Sequence, residues 1–252
     1  MPGRRTFIIT RPEEDAARFS EAVRRAGHAL LSAPLLRIVF DAQAEIPDQA
    51  WQAVAITSAN GARAIARHPA RAHLITAKAV TVGPASTAAA QAAGFTNILQ
   101  AERGDVHGVI DVIRSRLDPA AGPVLYASGR VTRGALEEKL AQDGFTVVRV
   151  VLYDARPAEA LPEETAAFLR RGGEATVALY SPRSAKIWAG LCQKAGLAAP
   201  ARRLDYACLS ANVARALKEA LNPEREPLIA PKPEEGALLA LLGLTPTGES
   251  TP

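Results

Sequence analysis

From Thr6 onward, apolar runs of four to six residues alternate with amphipathic stretches of helical period. That alternation admits few folds besides a parallel α/β sheet. Thr6 to Thr10 reads as the first strand, and Arg11-Pro12-Glu13-Glu14-Asp15 turns it into a helix. The helix carries Ala16, Phe19, Val23 and Ala26 on one face and ends at Gly27. Its acidic first turn favours the helix dipole. His28 to Phe40 is extended but interrupted by Pro34, which suits an edge or a crossing and not the middle of a sheet. A second extended piece, Thr146 to Tyr153, ends in Asp154-Ala155-Arg156-Pro157, and the block from Trp51 to Gly144 between the two has its own full set of strands and helices.

The chain of 252 residues is long for one core and suits two domains of roughly 100–130 residues each. The expected division makes 1–36 and 158–244 one discontinuous domain and 41–149 a second domain inserted into it. Residues 37–40 and 150–157 are expected as antiparallel linker strands, and the Pro/Thr/Gly/Ser-rich 245–252 as a disordered tail. An internal repeat supports this. Ala55-Ile-Thr-Ser-Ala-Asn-Gly-Ala-Arg63 matches Ala178-Leu-Tyr-Ser-Pro-Arg-Ser-Ala-Lys186, and Val80-Thr-Val-Gly-Pro-Ala-Ser86 matches Ala207-Cys-Leu-Ser-Ala-Asn-Val213. Thr6–Gly27 also resembles Pro123–Gly144. The units recur in permuted order, the first of one half standing last in the other, as in a duplicated domain and unlike a solenoid.

Composition narrows the function. Aromatics are only 5%, so the cores must be built from Ala, Leu, Val and Ile. A net charge of +4 suits an anionic partner without requiring one, and a high arginine share accounts for the same balance. The basic residues form no stripe interleaved with aromatics, which argues against nucleic acid. Cys192 and Cys208 belong to no CxxC and have no histidine at zinc spacing, so they read as buried apolar residues and no metal or cofactor is expected. No apolar run reaches membrane length and Met1 to Arg5 lead directly into a strand, so the expectation is a soluble cytoplasmic protein.

Candidate chemistry gathers where strands hand over to helices, because helix N-termini there offer free N–H groups to anions. Four such junctions are Thr57-Ser58-Ala59-Asn60-Gly61, Gly83-Pro84-Ala85-Ser86-Thr87, Ser181-Pro182-Arg183-Ser184 and Ser210-Ala211-Asn212. A fifth, Ser128-Gly129-Arg130, follows a strand read as Val124–Tyr126. The plainer alternative for each is a helix cap. His28, His68, His73 and His107 have no partner implied by spacing and read as surface or capping residues. No phosphate loop, dinucleotide fingerprint or nucleophile elbow is present. Tyr153 ends a strand beside Asp154, where a phenol could serve as proton donor or simply pack on a hinge.

The runs Thr10-Arg11-Pro12, Trp51-x-x-Val-Ala-Ile-Thr-Ser-Ala-Asn60, Val80–Ser86, Val150-Val-Leu-Tyr153 and Leu179-Tyr-Ser-Pro-Arg-Ser184, in this order, resemble the uroporphyrinogen-III synthase family over about residues 5–242. The resemblance implies two flavodoxin-like α/β domains with parallel sheets, one inserted into the other through a two-stranded antiparallel linker. It also implies a monomeric, cofactor-free hydro-lyase with the substrate held between the domains. The implied reaction converts hydroxymethylbilane to uroporphyrinogen III, with loss of water and inversion of ring D through a spiro-pyrrolenine. Carried over by motif, Tyr153 is the catalytic candidate. Arg11, Thr57, Ser58, Gly83, Ser86, Ser128, Gly129, Arg130, Ser181, Ser184, Ser210 and Asn212 are the substrate-binding candidates. Where the family often has Gly-Pro-Thr-Thr, this chain has Ser210-Ala211-Asn212-Val213, and Val213 cannot hydrogen-bond a carboxylate. A transient contact with the upstream hydroxymethylbilane synthase stays open. So does a two-domain anion- or tetrapyrrole-binding module without catalysis.

Overall fold

The computed structural model describes residues 4–132 and 134–245. The expectation for 245–252 therefore falls, Thr245 apart, outside the described residues, as does that for the first three residues. In chain order the elements begin with β1 (Thr6–Ile9), α1 (Glu13–Arg25), β2 (Ala29–Ser32) and β3 (Leu36–Phe40). Next come β4 (Ala53–Ile56), α2 (Ala59–Arg67), a short α3 (Arg71–Leu74), β5 (Lys78–Thr81), α4 (Pro84–Ala93), β6 (Ile98–Gln100) and α5 (Val106–Arg116). The chain continues through β7 (Val124–Gly129), α6 (Leu136–Gln142) and the long β8 (Val147–Pro157). It closes with α7 (Glu163–Arg170), β9 (Thr176–Leu179), α8 (Pro182–Lys194), a short α9 (Ala198–Arg202), β10 (Asp205–Cys208), α10 (Ala211–Leu221), β11 (Leu228–Ile229) and α11 (Glu235–Leu241).

Two compact units result, one from the chain up to Arg37 together with that from Arg156 on, the other from Ile38–Ala155. The first holds a five-stranded sheet in the order β11-β10-β9-β1-β2, every pair parallel. The second holds a six-stranded sheet, β3-β8-β7-β4-β5-β6, whose last five strands are parallel. β3 runs antiparallel to β8: Asp41 N–H donates to Leu152 O, and Ala158 N–H donates to Leu35 O.

Aligning the two orders pairs β1 with β7, β2 with β8, β9 with β4, β10 with β5 and β11 with β6. That is the permutation visible in the sequence repeat. The first sheet has the 2-1-3-4-5 order of flavodoxin-like folds; the five parallel strands of the second reach that order once permuted, with β7 and β8 in the first two places, and β3 is added at the edge. The switch point lies between β1 and β9 in one unit and between β7 and β4 in the other.

Parallel sheets need cover on both faces, and the cores supply it. Phe7 and Ile9 belong to one buried cluster and Ile8 to another. In the second unit Val54 and Ile56 face one cluster, Ala53 and Ala55 the other. α1 forms as expected: Glu13, Glu14 and Asp15 in its first turn, Arg24 and Arg25 in its last, and Ala16, Phe19, Ser20 and Val23 buried. Gly27 follows at φ +72°, where a side chain would be strained.

One strand end differs from expectation. β7 runs on to Gly129, because Ala127, Ser128 and Gly129 still pair with β8. β8 passes Tyr153, where the apolar run ends, and continues to Pro157, the end expected for the linker strand; β7 no longer pairs with it there, and β3 does, as the Ala158–Leu35 hydrogen bond shows. Pro157 is tolerated at the strand's end, where its missing N–H costs no ladder bond.

Burial leaves a mark on titration. The phenols of all four tyrosines, Tyr126, Tyr153, Tyr180 and Tyr206, are pushed above their ordinary value of 10 mainly by desolvation. The Cys192 and Cys208 thiols are pushed from 9 up to about 12 for the same reason. The native state thus holds these protons more tightly than the unfolded chain does. Their contribution to stability is intact below about pH 9 and is lost as pH rises toward 12. Urea midpoints should therefore be lower at about pH 10.5 than at about pH 8; equal midpoints would remove these groups from the linkage.

Candidate functional site

In the second unit, the switch point between β7 and β4 opens into a cleft of about 350 Å³ whose lining includes Thr57, Ser58, Tyr126, Gly129, Asp105 and Tyr153. Strand β4 ends at Ile56 and delivers Thr57 and Ser58 to the start of α2. Ser58 is the helix N-cap, its Oγ accepting from Asn60 N–H at 3.2 Å. α2 lies close on β7 because residue 61 is glycine: a Cβ there would stand 2.8 Å from the Ala127 carbonyl oxygen.

Two phenols face these hydroxyls. Tyr126 OH lies 3.2 Å from Thr57 Oγ1, and the Tyr153 phenol lines the same cleft as Ser58. Burial raises both phenols, opposed at Tyr153 by the nearby Ser58 side chain and at Tyr126 by Thr57 and the Arg149 charge. Both are therefore protonated throughout the neutral range.

Tyr153 reaches this position through a break in strand register. Ser128 pairs with Val151, but Gly129 pairs with Tyr153, so Leu152 is an extra residue on β8. Leu152 points into the core, and the Tyr153 ring stands against Gly129, where a Cβ would come within 2.8 Å of the ring carbons. The Arg130 N–H donates to Tyr153 O at 2.9 Å, and its guanidinium pairs with Asp154 at 3.4 Å. Across the cleft Asp105 caps α5 by accepting from Gly108 N–H at 3.0 Å, and Arg103 sits 3.1 Å away. The amide bond first, then Arg103, holds the Asp105 carboxyl below the ordinary carboxylate range.

Of the residues singled out in the sequence, Thr57, Ser58, Gly129 and Tyr153 thus share one cleft. Two others in this unit turn inward. Ser86 is buried, its Oγ accepting from Gly83 N–H at 3.1 Å and donating to Gly83 O at 2.8 Å. Ser128 is buried, donating to Val150 O and accepting from Arg149.

In the other unit Arg11 follows β1, pairs with Glu235 at 3.2 Å and Asp15 at 3.8 Å, and lies 4.9 Å over the Tyr180 ring. The enclosed Tyr180 OH has no hydrogen-bond partner among the described residues. Ser181 and Ser184 cap α8 reciprocally: Ser184 N–H donates to Ser181 Oγ and Ser181 N–H to Ser184 Oγ, each at 3.0 Å. Ser210 is the N-cap of α10 with its side chain making no cap bond, and Asn212 Oδ1 accepts from Arg215 at 2.9 Å. Val213 is buried in the core. It occupies the position of Ser86 in the repeat, so the valine removes a cap for the Ser210 N–H and not a ligand contact.

The histidines act as tethers. His68 Nε2 meets Ala44 O and His73 Nε2 meets Gln49 O, each at 2.8 Å. Among the described residues no three His, Cys, Asp or Glu side chains gather at metal-binding distance, and no helix is long and apolar enough to cross a membrane. Sequence reasoning misses Tyr126, Asp105 and Arg149. Only Arg149 carries a signal, as a charge inside the apolar run Val147–Leu152.

Compared with known proteins, residues 17–240 match the family model described as uroporphyrinogen-III synthase HemD. The chain belongs to the uroporphyrinogen-III synthase family. Its fold is similar to the crystal structure of uroporphyrinogen-III synthetase from Helicobacter pylori, with a TM-score of 0.63 at 16% identity, covering 96% of this chain and 100% of that one. A mutant uroporphyrinogen III synthase from Thermus thermophilus gives 0.52 at 16% identity, covering 94% of this chain and 96% of that one. No curated protein shows significant sequence similarity. The family's members are lyases of tetrapyrrole biosynthesis acting on hydroxymethylbilane, and this chain is such a lyase.

Proposed function

We infer that this family member closes hydroxymethylbilane to uroporphyrinogen III with Tyr153 assisting departure of the hydroxyl group. The observation that carries the reading is the neutral phenol of Tyr153 in the cleft that it lines with Ser58. Among the described residues, the one carboxylate lining the same cleft, Asp105, is held ionised and has no proton to give. A proton donor there is therefore a hydroxyl, and a phenol is the most acidic hydroxyl available.

In this reading a pyrrole nitrogen lone pair expels the terminal hydroxyl, which leaves as water with a proton supplied through the phenol. The azafulvene so formed is attacked by the substituted carbon of ring D. The resulting spiro-pyrrolenine fragments and recloses with that ring reversed, and the last ring carbon returns a proton to the medium. Because the linear substrate also closes unaided without inversion, the protein's task is chiefly to hold it in the geometry of the spiro path.

In the inserted unit, carboxylates of the substrate are taken by backbone N–H groups at the starts of α2 and α4, with Thr57, Ser58, Gly83, Gly129 and Arg130 beside them; in the other unit the starts of α8 and α10, with Ser210 and Asn212, offer the same chemistry. Ser86 and Ser184, whose hydroxyls are already bonded, shape the turns before α4 and α8, and Ser128 is bonded within the sheet. Arg11 joins them only by exchanging Glu235 for a substrate carboxylate. The test supplies hydroxymethylbilane from its deaminase in situ and resolves the oxidised products. Isomer III is expected to dominate, and accumulation of isomer I alone would sink the reading.

A further inference from the structure

Arg149 sits between Val148 and Val150 in an otherwise apolar stretch of β8, half-buried. A cation in such a strand must find compensation. Among the described residues it has no carboxylate at ion-pair distance. Instead its Nε donates to Ser128 Oγ at 3.0 Å, and one Nη donates to Gly129 O at 3.1 Å and to Arg130 O at 3.0 Å. All three acceptors lie at the end of β7, across the register break that leaves Leu152 unpaired.

The same three residues define where Tyr153 stands. Ser128 is the last residue in regular register, Gly129 backs the phenol ring, and Arg130 N–H holds the Tyr153 carbonyl. The guanidinium therefore ties the two strands together at the one point where their ladder loses step.

We propose that Arg149 is a positioning residue for Tyr153: it locks the end of β7 that faces the bulge in β8 and thereby fixes the phenol against Gly129 and toward Ser58. This rests on the reading that Tyr153 assists the reaction. A lysine does not substitute, because one ammonium on a flexible stem cannot reproduce a planar fork spanning three acceptors.

The test compares Arg149→Lys, Arg149→Met, Tyr153→Phe and the Arg149→Lys/Tyr153→Phe double variant in the coupled isomer assay. Displacing a reacting group by about 1 Å costs up to a hundredfold. Both Arg149 variants should lose about ten- to a hundredfold in kcat with KM changing little. In the double variant the losses should not multiply, since a phenylalanine has no hydroxyl left to misplace. Wild-type kcat in Arg149→Lys, or multiplied losses in the double variant, would overturn the proposal.

A second readout needs no turnover. With ¹³Cζ-labelled tyrosine the chain gives four resonances, and that of Tyr153 is identified by its loss in Tyr153→Phe. In Arg149→Lys it should shift or broaden while those of Tyr180 and Tyr206, in the other unit, stay in place. An unmoved Tyr153 resonance would also overturn the proposal. If Arg149→Met fails to fold, Ser128→Ala, which removes one acceptor, should move the same resonance in its place. Unchanged kinetics in Tyr153→Phe itself would defeat the functional reading alone, and the resonance would still decide the role of Arg149.

Discussion

Tyr153→Phe is expected to lower turnover by about a hundredfold while leaving KM nearly unchanged, the lower end of what a positioned proton donor contributes. The ring and its packing against Gly129 survive the change, so only the hydroxyl is removed. Because unaided closure continues at its own rate, the product should also drift from isomer III toward isomer I. The phenol is held above its ordinary value of 10, so no loss of activity below about pH 10 should be traceable to its ionisation. An unaltered kcat and isomer ratio in the phenylalanine variant would take Tyr153 out of the reaction.

Gly129→Ala should do comparable harm by the opposite route. Its Cβ would fall 2.8 Å from two ring carbons of Tyr153 and 3.1 Å from the phenol oxygen, so the ring must move. Overpacking of this kind costs about 1–3 kcal/mol. The variant should unfold at a lower urea concentration and also lose most of its turnover, although its hydroxyl is intact. Pairing it with Tyr153→Ala, which vacates the space, should restore the stability and not the activity. Stability and turnover both at wild-type level in Gly129→Ala would show that the ring does not need this position.

The internal repeat makes much of the fold legible in the sequence alone. Matching Ala55–Arg63 to Ala178–Lys186 aligns β4 with β9 and the caps Ser58 and Ser181. Gly27 and Gly144 mark the ends of α1 and α6 correctly, both at positive φ. What pattern does not supply is depth. Ser86, Ser128 and Ser184 look like ligand groups in a linear string because Ser is polar, yet each is enclosed by its own turn or strand. Val213 looks like a lost contact for the same reason, and it is core.

Tyr126 escapes notice because every second residue of a central strand is apolar by rule, and its hydroxyl declares itself only where the strand runs out beside Thr57. The break in register at Gly129 has no local signature either, because it is a relation between strands about 20 residues apart.

The permuted strand order also sets a timetable for folding. The second unit is one continuous stretch, and its central pairing of β4 with β7, Ala53 meeting Val124, closes a far shorter loop than the central pairing of the first. In the first unit β1 must pair with β9, Phe7 meeting Thr176. At about 5–20 residues per second, roughly ten to thirty seconds of synthesis separate those partners. During that interval β1, α1 and β2 have no sheet to complete, and closing so long a loop is what slows folding of non-local topologies. Meanwhile the intervening residues can collapse into their own core, bringing β3 and β8 side by side and shortening the effective loop. Premature exposure of Phe7, Ile8 and Ile9 is thus limited by how fast the inserted unit folds. A destabilising change in that unit would surface first as aggregation of newly made chain, through strands it does not itself contain.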